Sequence, residues 1–196
     1  MDLKSIYKGV QEISPFILKH KLPSLIYKEL QRCLKHTDKI RKNKLACLLE
    51  HHNVGNNSYQ VSLPFNLLEG SFFQAYLILL GEYYRCRYEN LSFKDTRRTV
   101  RLRKHDNHFD SYDVWVNYIE KGSINKEHNH AGDLSGVIYY TDCKDFPTYF
   151  KNGSSYKGEE RDIIIFPSST LHYVPRYTKK ESRITVSYNL YYCWRT

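Results

Sequence analysis

His128-Asn129-His130, followed by His172 and then by Arg183, are the residues of this chain best suited to chemistry. Two imidazoles at i and i+2 of a strand project to the same side, because side chains alternate across it. A third imidazole from a distant strand closes three positions on one face of a metal ion. Imidazole nitrogen suits iron, zinc, copper and nickel, so this spacing leaves the metal open.

A second guest is suggested by the RITVSYNLYY segment. Arg183, Thr185 and Ser187 share one of its faces, and Ile184, Val186 and Tyr188 share the other. An arginine facing a protein interior needs an anionic partner, since an unpaired buried charge is very costly. Either an internal acidic side chain fills that role, or a bound dicarboxylate does. The dicarboxylate would be gripped by two guanidinium N–H groups, with the Thr185 or Ser187 hydroxyl assisting.

The elements that must hold these residues are mostly strands. TVRLR, YDVWVNYIE, LSGVIYYTD, PTYFK, DIIIFP and RITVSYNLYY are short, β-branched and aromatic, and turn-forming runs at HDNH, EKGS, KNGSS and RYTKKES separate them. DIIIFP is apolar throughout and suits burial on both faces. Strands in succession without intervening helical patterns predict an antiparallel sandwich or small barrel. Upstream, SPFILKHKLP reads as a short extended run. Ser24 is a candidate N-cap for a helix with Leu25, Ile26, Leu30 and Leu34 on one face. From Pro64 to Tyr84, Phe65, Leu68, Phe72, Tyr76, Leu79, Leu80 and Tyr83 predict one amphipathic helix lying against a sheet. The GNNS stretch is turn chemistry joining two elements. The expected fold class is α+β in a single domain over 1–196. Residues 1–88 would be mainly helical, and 89–196 would form a β-barrel core carrying the metal site.

Composition bounds the rest. A hydrophobic fraction of 41% and 18 tyrosines fit a folded, strand-rich globule rather than a disordered chain. The net charge of +9 raises a nucleic-acid reading, but basic residues cluster only at Arg97, Arg98, Arg101, Arg103 and Lys104. That run reads either as an edge strand protected by charge or as a stripe that attracts phosphate or an acidic substrate. Five scattered cysteines without a CxxC spacing indicate neither a disulfide framework nor a structural zinc site. With no signal peptide and no membrane-length apolar run, a soluble protein of a reducing cytoplasm is expected, the host's if phage-encoded.

HNHAGDLSGVIYY, the FPSSTLH turn and the RITVSYN strand resemble the double-stranded β-helix (a jelly-roll, cupin-like barrel) of Fe(II)/2-oxoglutarate-dependent oxygenases. Within them the likeness is to a phage and bacterial group with W-x-N before H-x-H and L-S-x-V-x-Y after it. RKNKLACLLE resembles a segment that precedes the barrel in phage members. The resemblance implies N-terminal helices packed on one sheet, with iron at His128, His130 and His172. It implies 2-oxoglutarate on the iron, its distal carboxylate on Arg183, help from Thr185 or Ser187, and a hydroxyl donated by Tyr140 or Tyr118. The reaction implied is hydroxylation of an unidentified substrate with dioxygen. The superfamily usually places Asp or Glu where His130 stands, which leaves this site one unit more positive. Asp133 has an odd spacing from His130 and would replace it as ligand, or support a ligand from behind, only if the AGD turn bends back.

Two other readings compete. Gly122 before H-x-H and the PSSTLH run also fit a cupin-type metal dioxygenase without 2-oxoglutarate, which leaves Arg183 without a role. The basic run and the abundant tyrosines fit a non-catalytic module binding nucleic acid or protein.

Overall fold

The computed structural model describes residues 8–42, 58–88, 98–105 and 111–194. Gly55–Asn57 of the GNNS stretch, Arg97 and most of the RKNKLACLLE and HDNH segments lie outside the described residues. The β-branched runs build the larger of two antiparallel sheets. Its path is β1 (Gln11–Ser14), β2 (Ile17–Lys21), β11 (Asp162–Pro167), β8 (Leu134–Tyr139), β13 (Arg183–Trp194), β6 (Ser111–Ile119) and β3 (Ser58–Pro64). Off this path, β4 (Arg98–Leu102) pairs with β13 and β5 (Lys104–His105) pairs with β6. The smaller sheet runs β10 (Ser155–Tyr156), β9 (Thr148–Phe150), β12 (His172–Val174) and β7 (Asn125–His128). Together they form a double-stranded β-helix with helices on one side, the architecture expected from the sequence.

Alternation along the strands divides the core. On β11, Ile163 and Ile165 join the cluster beneath the helices, while Ile164 and Phe166 join Val137, Tyr139, Phe150 and Tyr156 between the sheets. On β13, Val186, Tyr188 and Leu190 face the helices and are fully buried. The helix layer is α1 (Ser24–Lys42), α2 (Phe65–Leu68) and α3 (Phe72–Tyr88). The part before residue 89 is thus less purely helical than expected, since β1, β2 and β3 also belong to the larger sheet.

The single helix expected from Pro64 to Tyr84 is broken. Gly70 adopts φ 72°, which ends α2, and the Ser71 hydroxyl accepts from the Gln74 amide (3.0 Å) to start α3 afresh. The restart shifts the buried face to Phe73, Tyr76, Leu77, Leu80, Gly81 and Tyr84 and leaves Phe72 61% exposed. In α1, Ile26, Leu30 and Leu34 are buried, whereas Leu25 is exposed. The Ser24 hydroxyl accepts from Arg161 (3.2 Å), and the first turn closes by Tyr27 N–H donating to Pro23 O (2.9 Å). Among the described residues, no helix is long and apolar enough to cross a membrane.

Candidate metal centre

β7 ends at His128 and β12 begins at His172, and the two residues are direct partners across the smaller sheet. Opposed residues of an antiparallel pair carry their side chains on one face, so these imidazoles meet, with ring centroids 4.4 Å apart. His130 follows the strand rather than lying on it. Its amide donates to Ser168 O (3.0 Å), and the Ser168 amide donates to Asp133 O (3.0 Å). The H-x-H pair therefore converges through a turn pinned to the chain after β11, not through strand alternation. The His130 ring lies 4.8 Å from His128 and 5.1 Å from His172. The possible ligand atoms of the three histidines all lie within 4.8 Å of one another.

The surroundings prepare the rings as neutral donors. Nδ1 of His128 faces Lys126 O (2.7 Å) and Nδ1 of His172 faces Thr170 O (2.9 Å). A carbonyl only accepts, so each Nδ1 carries the proton and Nε2 keeps its lone pair for a metal. Burial, then repulsion from His172 and His128, pushes His130 down to about 3. Burial, then His128, lowers His172 to about 4, against the opposing pull of Thr170 O. Three imidazoles brought together and partly shielded from water fit a divalent transition metal. Asp133 is not one of this group. It is exposed, and its carboxylate accepts from the Tyr192 amide (2.7 Å), fastening the turn to β13.

Arg183, Thr185 and Ser187 line the same cavity as the three histidines. The cavity itself measures about 30 Å³ and opens to solvent. Arg183 is 3% exposed. Its guanidinium lies 5.8 Å from the centre of the Tyr139 ring, and its Nη2 donates to Thr148 Oγ1 at 3.4 Å. Among the described residues its Nε, also buried, has no hydrogen-bond partner. Among the described residues no carboxylate pairs with Arg183, so the internal ion pair that the sequence left open is not what holds it. A buried guanidinium with an orphaned N–H beside three metal-type donors fits an anionic ligand that also reaches the metal.

Asn117 organises the cavity wall. Its Oδ1 accepts from Trp115 Nε1 (3.1 Å) and Gln60 Nε2 (2.9 Å). Indole N–H is a donor only, which fixes the amide's orientation. Nδ2 then donates to Ser187 Oγ (2.9 Å) and Thr185 Oγ1 (3.4 Å). Both hydroxyl oxygens accept there, so their own protons stay available to a carboxylate. The sequence carried one signal for Asn117, a polar residue sharing the W-x-N face with Trp115. Thr148 gave none, because PTYFK reads as an apolar strand.

Both expected tyrosine donors are misplaced by strand parity. Tyr118 faces the helices with Val114 and Val116, and its hydroxyl meets Thr37 Oγ1 at 2.8 Å. Tyr140 follows β8 and packs against Tyr27 of α1, with ring centroids 5.7 Å apart. The residue on the cavity side is Tyr139. Its hydroxyl bonds Thr148 Oγ1 (2.8 Å), and its ring lies so close to Gly158 that a Cβ there would sit 2.2 Å from it.

The fold is a double-stranded β-helix, and its three clustered histidines could hold a metal ion. Residues 141–189, the stretch with His172, Arg183, Thr185 and Ser187, match the family described as "Putative 2OG-Fe(II) oxygenase". Over that stretch, a quarter of the chain, it is similar to 2-oxoglutarate- and Fe(II)-dependent oxygenases. Its fold is similar to that of a Pseudomonas putida prolyl-4-hydroxylase, at 9% identity and TM-score 0.51, covering 99% of this chain and 97% of that one. It is also similar to the non-haem α-ketoglutarate-dependent epimerase SnoN of nogalamycin biosynthesis, at 12% identity and TM-score 0.52, covering 99% and 82%. No curated protein matches the chain significantly.

Proposed function

We propose that the protein hydroxylates an organic substrate at an Fe(II) held by His128, His130 and His172, with 2-oxoglutarate anchored by Arg183. The observation that carries this reading is the buried Arg183, whose Nε lacks a partner in the cavity of the three imidazoles. Bound there, Fe(II) and 2-oxoglutarate would couple oxidative decarboxylation of the co-substrate to insertion of oxygen into a substrate C–H bond.

The chain's own residues bind, orient and exclude water. Arg183 offers its N–H groups to the distal carboxylate, and Thr185 and Ser187 add hydroxyl protons aligned by Asn117. The carbonyls of Lys126 and Thr170 hold two rings in the tautomer a metal requires. His130, a neutral ligand where the superfamily usually has an acid, leaves the metal's full charge to be offset by the dianionic co-substrate. A cupin-type centre without 2-oxoglutarate would leave the Arg183 charge uncompensated. Free Cys33, Cys86, Cys143 and Cys193 support a cytoplasmic location.

Succinate release from purified protein tests the assignment. It is expected to need both Fe(II) and 2-oxoglutarate and to disappear in His172→Ala. Undiminished turnover and metal content in that variant would overturn it.

A further inference from the structure

The polar face of β13 does not stop at the cavity. Trp115 lies opposite Ser187 and Arg101 lies opposite Tyr191, so one inner surface runs from the histidines along β13 to β4. Four residues of strand separate those two registers, about 13 Å at roughly 3.3 Å per residue. At the near end the Trp115 ring lies 5.4 Å from His130 and is half-buried. At the far end the Arg103 guanidinium sits 5.7 Å from the centre of the Tyr191 ring. Asp113 Oδ2 between them accepts from Tyr191 Oη (2.7 Å) and Asn189 Nδ2 (3.0 Å).

β4 is firmly placed. Val100 and Leu102 are buried beneath the helices, and Glu82 of α3 accepts from the Val100 amide (2.8 Å) and the Thr99 hydroxyl (3.1 Å). Alternation therefore turns Arg101 to the opposite, inner side, and Arg103, between β4 and β5, lies there over Tyr191; both are exposed. Among the described residues no carboxylate forms an ion pair with Arg101 or Arg103.

We infer that this ledge binds the substrate of the oxygenase site, and that the substrate is a single-stranded nucleic acid. Backbone phosphates lie on Arg101 and Arg103, and a base stacks at Trp115 beside the histidines. Guanidinium forks grip phosphate at two points, aromatic faces accept any base, and the net charge of +9 draws in a polyanion. An acidic peptide would satisfy the arginines but leave the indole at the cavity mouth without a matching group. The inference rests on the oxygenase reading for what happens at the metal, but binding along the ledge is measurable without metal.

The test is fluorescence anisotropy of an end-labelled twelve-residue oligothymidylate with metal-free full-length protein over a range of salt. The paired reversal Arg101→Glu with Arg103→Glu is expected to weaken binding by at least about tenfold. It should also flatten the log–log salt slope by about 1.4, two phosphate contacts at roughly 0.7 each. The same charge change placed on exposed α1 positions, Lys28→Glu with Lys35→Glu, is expected to leave affinity within about twofold. If the reversed strand fails to fold, the pair Arg101→Gln with Arg103→Gln reads the same loss at smaller amplitude. Equal weakening by the strand and α1 pairs would overturn the inference. So would absence of binding by the parent, or equally effective competition by a polyglutamate peptide. None of these results bears on iron-dependent succinate release, which tests the oxygenase reading separately.

Discussion

The two faces of β13 are made by alternate residues of one strand and obey opposite rules. Val186, Tyr188 and Leu190 point to the helices and are buried in apolar contact. Arg183, Thr185, Ser187 and Asn189 point the other way and are almost as fully buried, yet they are polar. Burial stabilises the first set and penalises the second unless each group finds a partner. The neutral members find theirs in Asn117, Ser135 and Asp113. Among the described residues Arg183 has a long contact to Thr148, the neighbouring Cys143 thiol and its place over the Tyr139 ring, but no carboxylate. A face that carries a poorly satisfied charge gains less stability from its burial than the apolar face does.

Substituting each face separately should break the comparison most visibly. Leu190→Ala, on the helix side, is expected to cost roughly 2–5 kcal/mol of stability through lost burial and a cavity. Arg183→Met, seven residues away in β13 on the other face, is expected to leave the melting temperature unchanged or raised, because it removes a buried charge that lacks a counter-ion. Thermal melts of both variants decide this. A large loss of stability in Arg183→Met would mean that the guanidinium is structural.

Asn117→Asp sharpens the same contrast within the polar face. A carboxylate there would accept protons from the Thr185 and Ser187 hydroxyls and add a negative charge. The Michaelis constant for 2-oxoglutarate should rise about tenfold or more, on the scale of one lost charge-assisted hydrogen bond. Metal affinity should hold. Equal loss of both would place Asn117 in the general packing of the barrel.

Acid should act on the histidine side. In the unfolded chain His130 and His172 take up protons near the ordinary histidine value of about 6.5. In the folded metal-free protein they do so only near 3 and near 4. Between those limits protonation favours the unfolded chain, so stability should fall as pH drops from about 6.5 to about 4. His130→Asn should flatten that fall, as melts across the range will show. The smallest effect is expected at the helix face. Tyr118→Phe loses the Thr37 hydrogen bond, about 1 kcal/mol, and leaves 2-oxoglutarate affinity as it was.

Sequence patterning exposed the parts of this molecule set by alternation over long runs. β11 and β13 were readable because each spans several residues of apolar or mixed pattern, and period two then fixes both faces. The same period places the two tyrosines. Ile138 faces the helices and Tyr139 the cavity side, so Tyr140 falls with the helix layer. Tyr118 follows the same rule. It is an even residue on β6, and the odd residues Trp115 and Asn117 are the ones facing the cavity. β7, β10 and β12 have two to four residues, too few to show a period, and NKEH carries no apolar alternation. The helix break after Leu68 depends on Gly70 and Ser71, which a continuous apolar stripe conceals. The histidines were legible by type and spacing, but their convergence depends on the His130 amide reaching Ser168, a contact between distant segments.

The central claim is that one cavity holds a metal on three histidines and a dicarboxylate on Arg183. Calorimetric titration of 2-oxoglutarate into protein loaded with Mn(II), a divalent stand-in for Fe(II), tests it most directly. One equivalent should bind the parent, and affinity should fall by about a hundredfold or more in Arg183→Met, the scale of a lost bidentate charge-assisted contact. Equal affinity in parent and variant, or equally tight binding without metal, would contradict it.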